Sequence, residues 1–232
     1  FMKAYRRPRE LIWVTGVIQL LLVLGFGFTG YLLPWDTIAY FATQIGTEIP
    51  KNIPIIGDFF VSLLRGGEYV AAETLKRLFV LHVVVLPVVT MAVVIIHIGL
   101  NQLHGNSIPI QLKGISKSMP FFTDFLWRDV LAWVAGLAAL LTFAVLLPTS
   151  LGPKADPYAS APLGIRPEWY FLPLFQTLRM VPSTVIGVDG ELLVNVGVGI
   201  MMMALLLIPF LDRRASFEIN SRGFTIAGIL LI

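Results

Sequence analysis

Two histidines lie fifteen residues apart in one long apolar segment, RLFVLHVVVLPVVTMAVVIIHIGL, as His82 and His97. On an α-helix this spacing separates them by about 22 Å along the axis and about 60° around it. Ionisable groups inside a membrane are costly and usually functional. Two neutral imidazoles, one near each membrane surface, suit the axial ligation of two stacked haems. The alternative is that both are core histidines whose ring nitrogens are satisfied by hydrogen bonds.

Two glycines in the preceding apolar segment have nearly the same spacing. Gly16 and Gly30 are fourteen residues apart, which is about 21 Å along a helix and about 40° around it. If the two segments are antiparallel helices, Gly30 lies at the depth of His82 and Gly16 at the depth of His97. Small residues let a helix or a flat ligand approach a backbone closely. Glycine is common in membrane helices, so a chance match is the alternative.

The composition excludes several classes of protein. Of the 232 residues, 56% are hydrophobic and 13% are charged, and the mean hydropathy is +0.82, values typical of a polytopic membrane protein rather than a soluble domain. The chain has no cysteine, which excludes disulfides, thiolate metal sites, iron–sulfur clusters and covalently attached c-type haem within it. A net charge of +3 is too small to indicate nucleic-acid binding.

Hydropathy predicts an all-α, polytopic transmembrane helix bundle. Four spans are predicted at 11–33, 78–100, 130–147 and 192–211, and a fifth begins near 224 and runs to the last residue. The segment IPIIGDFFVSLL is too short to cross a bilayer, so we expect an interfacial helix there.

The charges of the loops predict an orientation in the membrane. Ten basic residues fall on one side: Lys3, Arg6, Arg7, Arg9, Lys113, Lys117, Arg128, Arg213, Arg214 and Arg222. Five acidic residues accompany them: Glu10, Asp124, Asp129, Asp212 and Glu218. That side has a net charge of +5 and the other −2, so the positive-inside rule assigns the first to the cytoplasmic, negative (n) side. The two long loops and His82 then lie near the positive (p) side, and His97 near the n side.

Four further blocks of sequence are PRELIWVTG, TGYLLPWD, TLKRLFVLHVVVLP and RPEWYFLPLFQTLRMVPS. With the distal His97, they resemble the cytochrome b subunit of Rieske–cytochrome b quinol oxidoreductases. The resemblance covers the whole chain, from that family's third helix into a truncated seventh. It implies a division into 1–107, the C-terminal half of the haem-binding four-helix bundle, and 108–232, the PEWY-containing C-terminal helical domain.

Several details resemble the thylakoid-type branch of that family, among them IPIIGDFFVSLLRGG, Asp36 and ADPYASAPLGIRPEWY. In that branch the histidine helices and the PEWY part are usually two polypeptides, whereas here NQLHGNSIPIQLKGISKS joins them. The fusion indicates a bacterial cytochrome b of intermediate type. The family's first two helices are absent from this sequence, so we expect the second axial ligand of each haem to come from a missing helix or another chain.

The resemblance implies a role for each candidate haem residue. His82 would ligate the iron of the p-side haem and His97 that of the n-side haem, with Gly16 and Gly30 as further cofactor-binding residues. Arg77, about one turn before His82, could pair with a haem propionate. Its alternative role is to extend its charge to the membrane surface.

The resemblance also implies a quinone site around the PEWY motif. Glu168 is expected to accept a proton from quinol, with Tyr31 and Tyr170 as the other candidate catalytic residues. The remaining candidate pocket residues are Pro34, Trp35, Pro167, Trp169 and, at a reduction site on the n side, His104. His104 could instead belong to a helix end, since Gly105 follows it.

The function that these residues imply is quinol oxidation on the p side and electron transfer across the membrane through two b haems to an n-side quinone site, with protons released on the p side. The expected partners are a Rieske iron–sulfur protein, a c-type cytochrome or plastocyanin-like acceptor, the missing helices or a companion b subunit, and a second copy in a homodimer. The expected location is the bacterial cytoplasmic membrane, and nucleic acid is not an expected partner. The alternative is a redox-inactive membrane scaffold or a proton-translocating transporter subunit.

Overall fold

The apolar segments of the chain form long helices. The structure, a computed structural model, describes residues 3–53, 55–109, 112, 114–115, 117–212, 223–224, 226 and 228. Four helices in this part of the chain are long and apolar enough to cross a membrane: Glu10–Tyr31, Ala72–His104, Phe121–Leu146 and Gly190–Leu211. The all-α class and the four predicted spans are therefore confirmed. Most of the predicted fifth span lies outside the described residues, as do Lys113, Arg213, Arg214, Glu218 and Arg222.

The chain forms two compact units. One comprises Phe1–Ser107 and Pro153–Ile232, and the other Ile108–Gly152. The second unit contains a single long helix, in which a π-turn at Phe121–Phe125 leads into α6, Leu126–Leu146. The predicted division of the chain into a haem-binding part, 1–107, and a PEWY-containing domain, 108–232, is not tested by these units.

The first spanning helix, α1 (Glu10–Tyr31), packs against the long helix that carries the two histidines. That long helix consists of α4 (Ala72–Val80), one π-turn (Leu81–Val85) and α5 (Leu86–His104). In the π-turn the Leu86 amide donates to the Leu81 carbonyl, five residues earlier. Pro87 follows directly; it has no N–H to donate, and its ring clashes with an α-helical carbonyl four residues before it. The wider turn is how the helix accommodates this proline.

Between α1 and the long helix lie two short helices, near the C-terminal end of α1. Asp36 caps α2 (Thr37–Glu48) by accepting from the Ala39 amide at 2.8 Å. A 3-10 turn (Ile49–Asn52) leads to α3 (Gly57–Arg65), which overlaps the predicted interfacial helix. The least exposed side chains include several at this end: Leu32, Thr43, Thr47, Thr74 and Leu78.

The C-terminal part of the first unit packs on this framework. A 3-10 turn (Trp169–Phe171) leads into α7 (Leu172–Met180). A two-residue hairpin pairs β1 (Thr184–Val185) with β2 (Val188–Asp189), antiparallel, before α8 (Gly190–Leu211). Side chain to backbone hydrogen bonds join α8 to the N-terminal half: Trp13 Nε1 donates to the Leu205 carbonyl at 2.7 Å, and Asn195 Nδ2 to the Ile49 carbonyl at 2.7 Å.

Arg65 holds the two short helices together. It is 5% exposed, and its guanidinium donates to Thr47 Oγ1 at 2.6 Å and to a Glu48 carboxylate oxygen at 2.7 Å. It also donates to the backbone carbonyls of Gln44 and Glu68 at 2.9 Å each. Hydrogen bonds from Lys51 and Arg65 lower the pKa of Glu48, so the Glu48 carboxylate stays ionised at neutral pH.

Replacing Arg65 with methionine should destabilise this end of the protein. Arg65→Met keeps the length of the side chain but removes one hydrogen-bond donor from the buried Thr47 hydroxyl and from each of two backbone carbonyls, at a cost of about 1–3 kcal/mol. Lys51→Met is the control, because its 2.8 Å pair with Glu48 is exposed and worth less than about 1 kcal/mol. The measurement is thermal unfolding of the detergent-solubilised protein, and equal losses in the two variants would contradict the assignment.

Candidate functional site

The two histidines of the long helix face α1, and each imidazole lies against one of its glycines. A Cβ added to Gly30 would come within 2.7 Å of His82 Cε1, and one added to Gly16 would lie 3.5 Å from His97 Cε1. The structure thus pairs Gly30 with His82 and Gly16 with His97, as the matching sequence intervals predict. At Gly30 the ring occupies the space that a side chain would need, so a larger residue there would displace the imidazole.

Two threonines that the sequence analysis did not single out contact the same rings. Thr15 Oγ1 lies 2.8 Å from His97 Nδ1, and Thr29 Oγ1 lies 3.0 Å from His82 Nδ1. Each threonine directly precedes the glycine that touches that ring. The signal that could have revealed them is the Thr-Gly dipeptide, which occurs twice in α1 at a fourteen-residue interval.

The π-turn explains how spacings of fifteen and fourteen residues can match. In an uninterrupted α-helix, fifteen residues place the second side chain about 60° ahead of the first, and fourteen place it about 40° behind. The π-turn of this helix begins one residue before His82, and its last three residues lie between His82 and His97. The wider hydrogen-bonded loop of a π-turn takes up one residue more than an α-turn. The histidine helix therefore regains the phase of a fourteen-residue interval, which is the interval between Gly16 and Gly30.

The donor atoms at these two levels fit haem iron. Neutral imidazole is a common axial ligand of haem, and such a histidine usually donates its other ring N–H to a neighbouring acceptor. The hydrogen bonds recorded for both rings among the described residues use Nδ1, so Nε2 is the nitrogen left for a metal. Groups of three or more His, Cys, Asp or Glu that could hold a metal ion are absent from the described residues. A haem needs only axial ligands from the protein, and each level offers one.

A cavity of about 330 Å³ lies beside the C-terminal half of α1, within the first unit. Its walls come from α1, α2, α3, the segment 165–171 and α7, and they are mostly apolar. Four predicted site residues line it: Tyr31, Pro167, Glu168 and Tyr170. An apolar cavity with a few polar groups is the usual form of a small-molecule site.

Tyr170 lies directly on the backbone of α1 inside this cavity. A Cβ added to Gly27 would come 2.7 Å from the Tyr170 phenol oxygen, so the absence of a side chain at Gly27 makes the contact possible. Burial, and next the nearby Glu168 carboxylate, raise the pKa of Tyr170. The phenol therefore stays protonated at neutral pH and can donate a hydrogen bond into the cavity. Glu168 itself is exposed on one side and so communicates with solvent.

The structure does not bring Pro34, Trp35 and Trp169 to the cavity wall. The Trp35 ring packs edge-on against Tyr40 with centroids 5.9 Å apart, and its backbone has a positive φ of 53°. The Trp35 carbonyl accepts a hydrogen bond from the Ala155 amide at 2.9 Å. The turn after α1 is thereby joined to the segment that precedes the PEWY motif. Trp169 is 75% exposed, with its ring edge-on to that of Tyr170.

Arg77 and His104 lie at opposite ends of the long helix. The Arg77 guanidinium donates to the carbonyls of Ser62 and Leu63, at 3.2 and 2.9 Å, and thereby satisfies the last turn of α3. His104 is the last residue of α5, and its carbonyl accepts from Arg9 Nη2 at 3.3 Å. The predicted contacts of Arg77 with a propionate and of His104 with quinone stay predictions.

The chain matches two family models in succession. Residues 1–153 match the model described as cytochrome b(N-terminal)/b6/petB, and residues 154–232 match cytochrome b(C-terminal)/b6/petD. The predicted fusion of the two parts in one chain is therefore confirmed.

Known proteins of similar sequence and structure bear related names. The chain is 51% identical to a cytochrome bc complex cytochrome b subunit of Chlorobaculum thiosulfatiphilum, over 100% of this chain and 54% of that one. It is 33% identical to cytochrome b of Marchantia polymorpha, over 93% and 53%. A solved structure described as a hyperthermophilic respiratory Complex III matches with a TM-score of 0.74 and 29% identity, over 91% and 57%. The chain spans about half the length of the curated relatives it matches.

A methyl group at Gly27 should clash with Tyr170, whereas one at Gly25 should not. In Gly27→Ala the new Cβ would meet the phenol at 2.7 Å, but in Gly25→Ala it would meet a Leu86 methyl at an ordinary 3.7 Å. We expect overpacking in Gly27→Ala to cost about 1–3 kcal/mol, whereas Gly25→Ala should keep the parent stability or raise it by up to about 1 kcal/mol, because alanine is the better helix former.

The measurement is thermal unfolding of the parent, the two alanine variants, Tyr170→Ala and the Gly27→Ala/Tyr170→Ala double variant. If the contact causes the loss, the double variant should lose less than the sum of the two single variants. Additive losses would contradict the contact.

Proposed function

Because the chain belongs to the cytochrome b family, we propose that it forms the redox core of a membrane quinol oxidoreductase. In this proposal the p-side cavity binds quinol, and His82 and His97 each hold one b haem. When bound, the two haems supply one-electron redox chemistry and carry electrons across the membrane to a quinone site on the n side. The two-electron oxidation of quinol also releases two protons, which leave on the p side.

One observation carries the redox part of the proposal: the same arrangement occurs at two depths of one helix pair. At each depth a histidine ring lies on a glycine and contacts the preceding threonine. A scaffold needs no such repetition, whereas electron transfer across a bilayer needs at least two redox centres at different depths. The opposite axial ligands would come from histidines on another helix or chain.

The quinol site is proposed from the cavity and its polar groups. The Tyr170 phenol, held protonated on Gly27, would orient a quinol oxygen by a hydrogen bond, with Tyr31 on the facing wall. The Glu168 carboxylate, which borders the cavity and reaches solvent, would accept a quinol proton and pass it to the p-side water. Pro34, Trp35 and Trp169 would act outside the cavity wall, as supports for this segment.

The n-side assignments and the partners complete the proposal. His104 would contact quinone near the last turn of α5, and Arg77 would pair with a propionate near His82. One electron from each quinol would pass to a Rieske iron–sulfur protein and from there to a c-type cytochrome or plastocyanin-like acceptor. The complex would be a homodimer in a bacterial cytoplasmic membrane, with the basic N-terminal segment on the cytoplasmic side.

Removal of either ligand should remove one haem. In the purified complex we expect two b haems per copy of this chain, and one in His82→Ala or His97→Ala, because each substitution takes away a ligand at one level. His104→Ala is the control on the same helix and should retain both. The measurements are pyridine-haem quantitation and a reduced-minus-oxidised spectrum. Two haems in both ligand variants would make the scaffold or transporter function the better account.

Loss of the proposed proton acceptor should slow quinol oxidation without removing haem. Glu168→Gln keeps the shape of the side chain but not its basicity, so we expect quinol oxidation to fall by about 10²–10⁴-fold. Glu73→Gln removes a carboxylate that pairs with Lys76 at the exposed start of α4 and should have little effect. Steady-state quinol oxidation at matched haem content provides the measurement. Parent-like rates in Glu168→Gln would exclude this residue as the acceptor.

A further inference from the structure

The hydroxyls of Thr15 and Thr29 contact Nδ1 of the two imidazoles, which is the nitrogen that the proposed metal does not use. Thr15 Oγ1 lies 2.8 Å from His97 Nδ1, and Thr29 Oγ1 lies 3.0 Å from His82 Nδ1. Both distances are those of hydrogen bonds. The two contacts lie at different turns of the same helix pair, so each is an independent observation of the same arrangement.

The direction of these hydrogen bonds follows from the single hydrogen of each hydroxyl. Thr15 Oγ1 lies 2.8 Å from the Leu11 carbonyl, and Thr29 Oγ1 lies 2.8 Å from the Gly25 carbonyl, four residues earlier in α1 in each case. A threonine in a helix interior commonly donates to that carbonyl. Once its hydrogen is used there, the oxygen can only accept from the histidine. The imidazole then carries its proton on Nδ1, which leaves the Nε2 lone pair for a metal.

We propose that Thr15 and Thr29 are positioning residues that fix the tautomer and the ring orientation of His97 and His82. The proposal rests on the proposed ligation of haem by the two histidines. A hydrogen bond accepted from Nδ1–H makes the imidazole a stronger electron donor through Nε2. Stronger donation stabilises ferric over ferrous iron, so each threonine lowers the reduction potential at its own level.

The surroundings of the threonines strengthen these bonds. Thr29 is 5% exposed and Thr15 is partly buried, and both lie in a membrane-spanning helix. A hydrogen bond in such a low-dielectric environment is stronger than in water, and water does not readily replace a lost acceptor. Valine in either position would keep the branched shape of threonine but could not accept the Nδ1 proton.

The test is a potentiometric titration of the two b haems in the intact complex carrying Thr15→Val or Thr29→Val. We expect Thr15→Val to raise the potential of one haem and Thr29→Val that of the other. A tenfold change in the relative stability of the oxidised and reduced forms corresponds to a shift of about 59 mV for a one-electron couple. Loss of one haem from a valine variant would equally support the proposal, provided that the matching serine variant keeps it.

Controls separate this effect from a general disturbance of the helix. Thr15→Ser and Thr29→Ser keep the acceptor and should retain parent potentials. Thr142→Val removes a hydroxyl that donates to the Ala138 carbonyl at 2.7 Å within its own helix, and it should shift neither haem. Unchanged potentials in both valine variants, equal shifts of both haems in each, or serine variants that behave like valine would overturn the proposal.

The ligand variants distinguish failure of this proposal from failure of the proposed function. If His82→Ala and His97→Ala retain both haems, the ligation itself is wrong. If they lose haem while the valine variants keep parent potentials, the ligation stands and the role of the threonines is wrong.

Discussion

The close approach of α1 to the histidine helix is the contact on which the other features depend. A side chain at Gly30 would occupy the position of the His82 ring, so the two helices can lie this close only where α1 has no side chain. Closeness also brings the threonine hydroxyls within hydrogen-bond distance of Nδ1 at both levels. Packing and hydrogen bonding are therefore coupled, since the glycine that permits the close approach of the helices also brings the preceding threonine within reach of the ring.

A second glycine near the C-terminal end of α1 allows a similar close contact. Gly27 lies three residues before Gly30 and receives the Tyr170 phenol as Gly30 receives His82. One short stretch of α1 thus supports both the cavity and the nearer histidine. Arg65 and its partners fix α2 and α3 around this stretch through hydrogen bonds, which add to the burial of Ala39, Tyr40 and Val61.

Features governed by helix periodicity could be predicted from the sequence. The four spans follow from hydropathy, and the positions of Gly16 and Gly30 opposite the two histidines follow from residue spacing. The family resemblance predicts that Tyr31, Glu168 and Tyr170 lie together. Features that depend on tertiary contacts could not. Threonines in helices usually bond to a carbonyl of their own helix, so the repeated Thr-Gly dipeptide does not by itself show that Thr15 and Thr29 contact the histidines. The Trp35 ring packs on Tyr40 because the Trp35 backbone has a positive φ. That conformation goes with hydrogen bonds to Leu32 and to the distant Ala155, which the local sequence does not reveal.

The π-turn has a consequence for how such a helix can change over evolutionary time. A one-residue insertion in a regular helix rotates everything beyond it by about 100°, which would turn one histidine away from its glycine. When the inserted residue is absorbed in a wider turn between the two histidines, the rotation is cancelled locally. Chains that differ by one residue in the interval between their histidines can therefore share the same histidine geometry. An alignment forced to be free of gaps across this helix would hide that equivalence, and the extra residue should be assigned to the turn at Leu81–Val85.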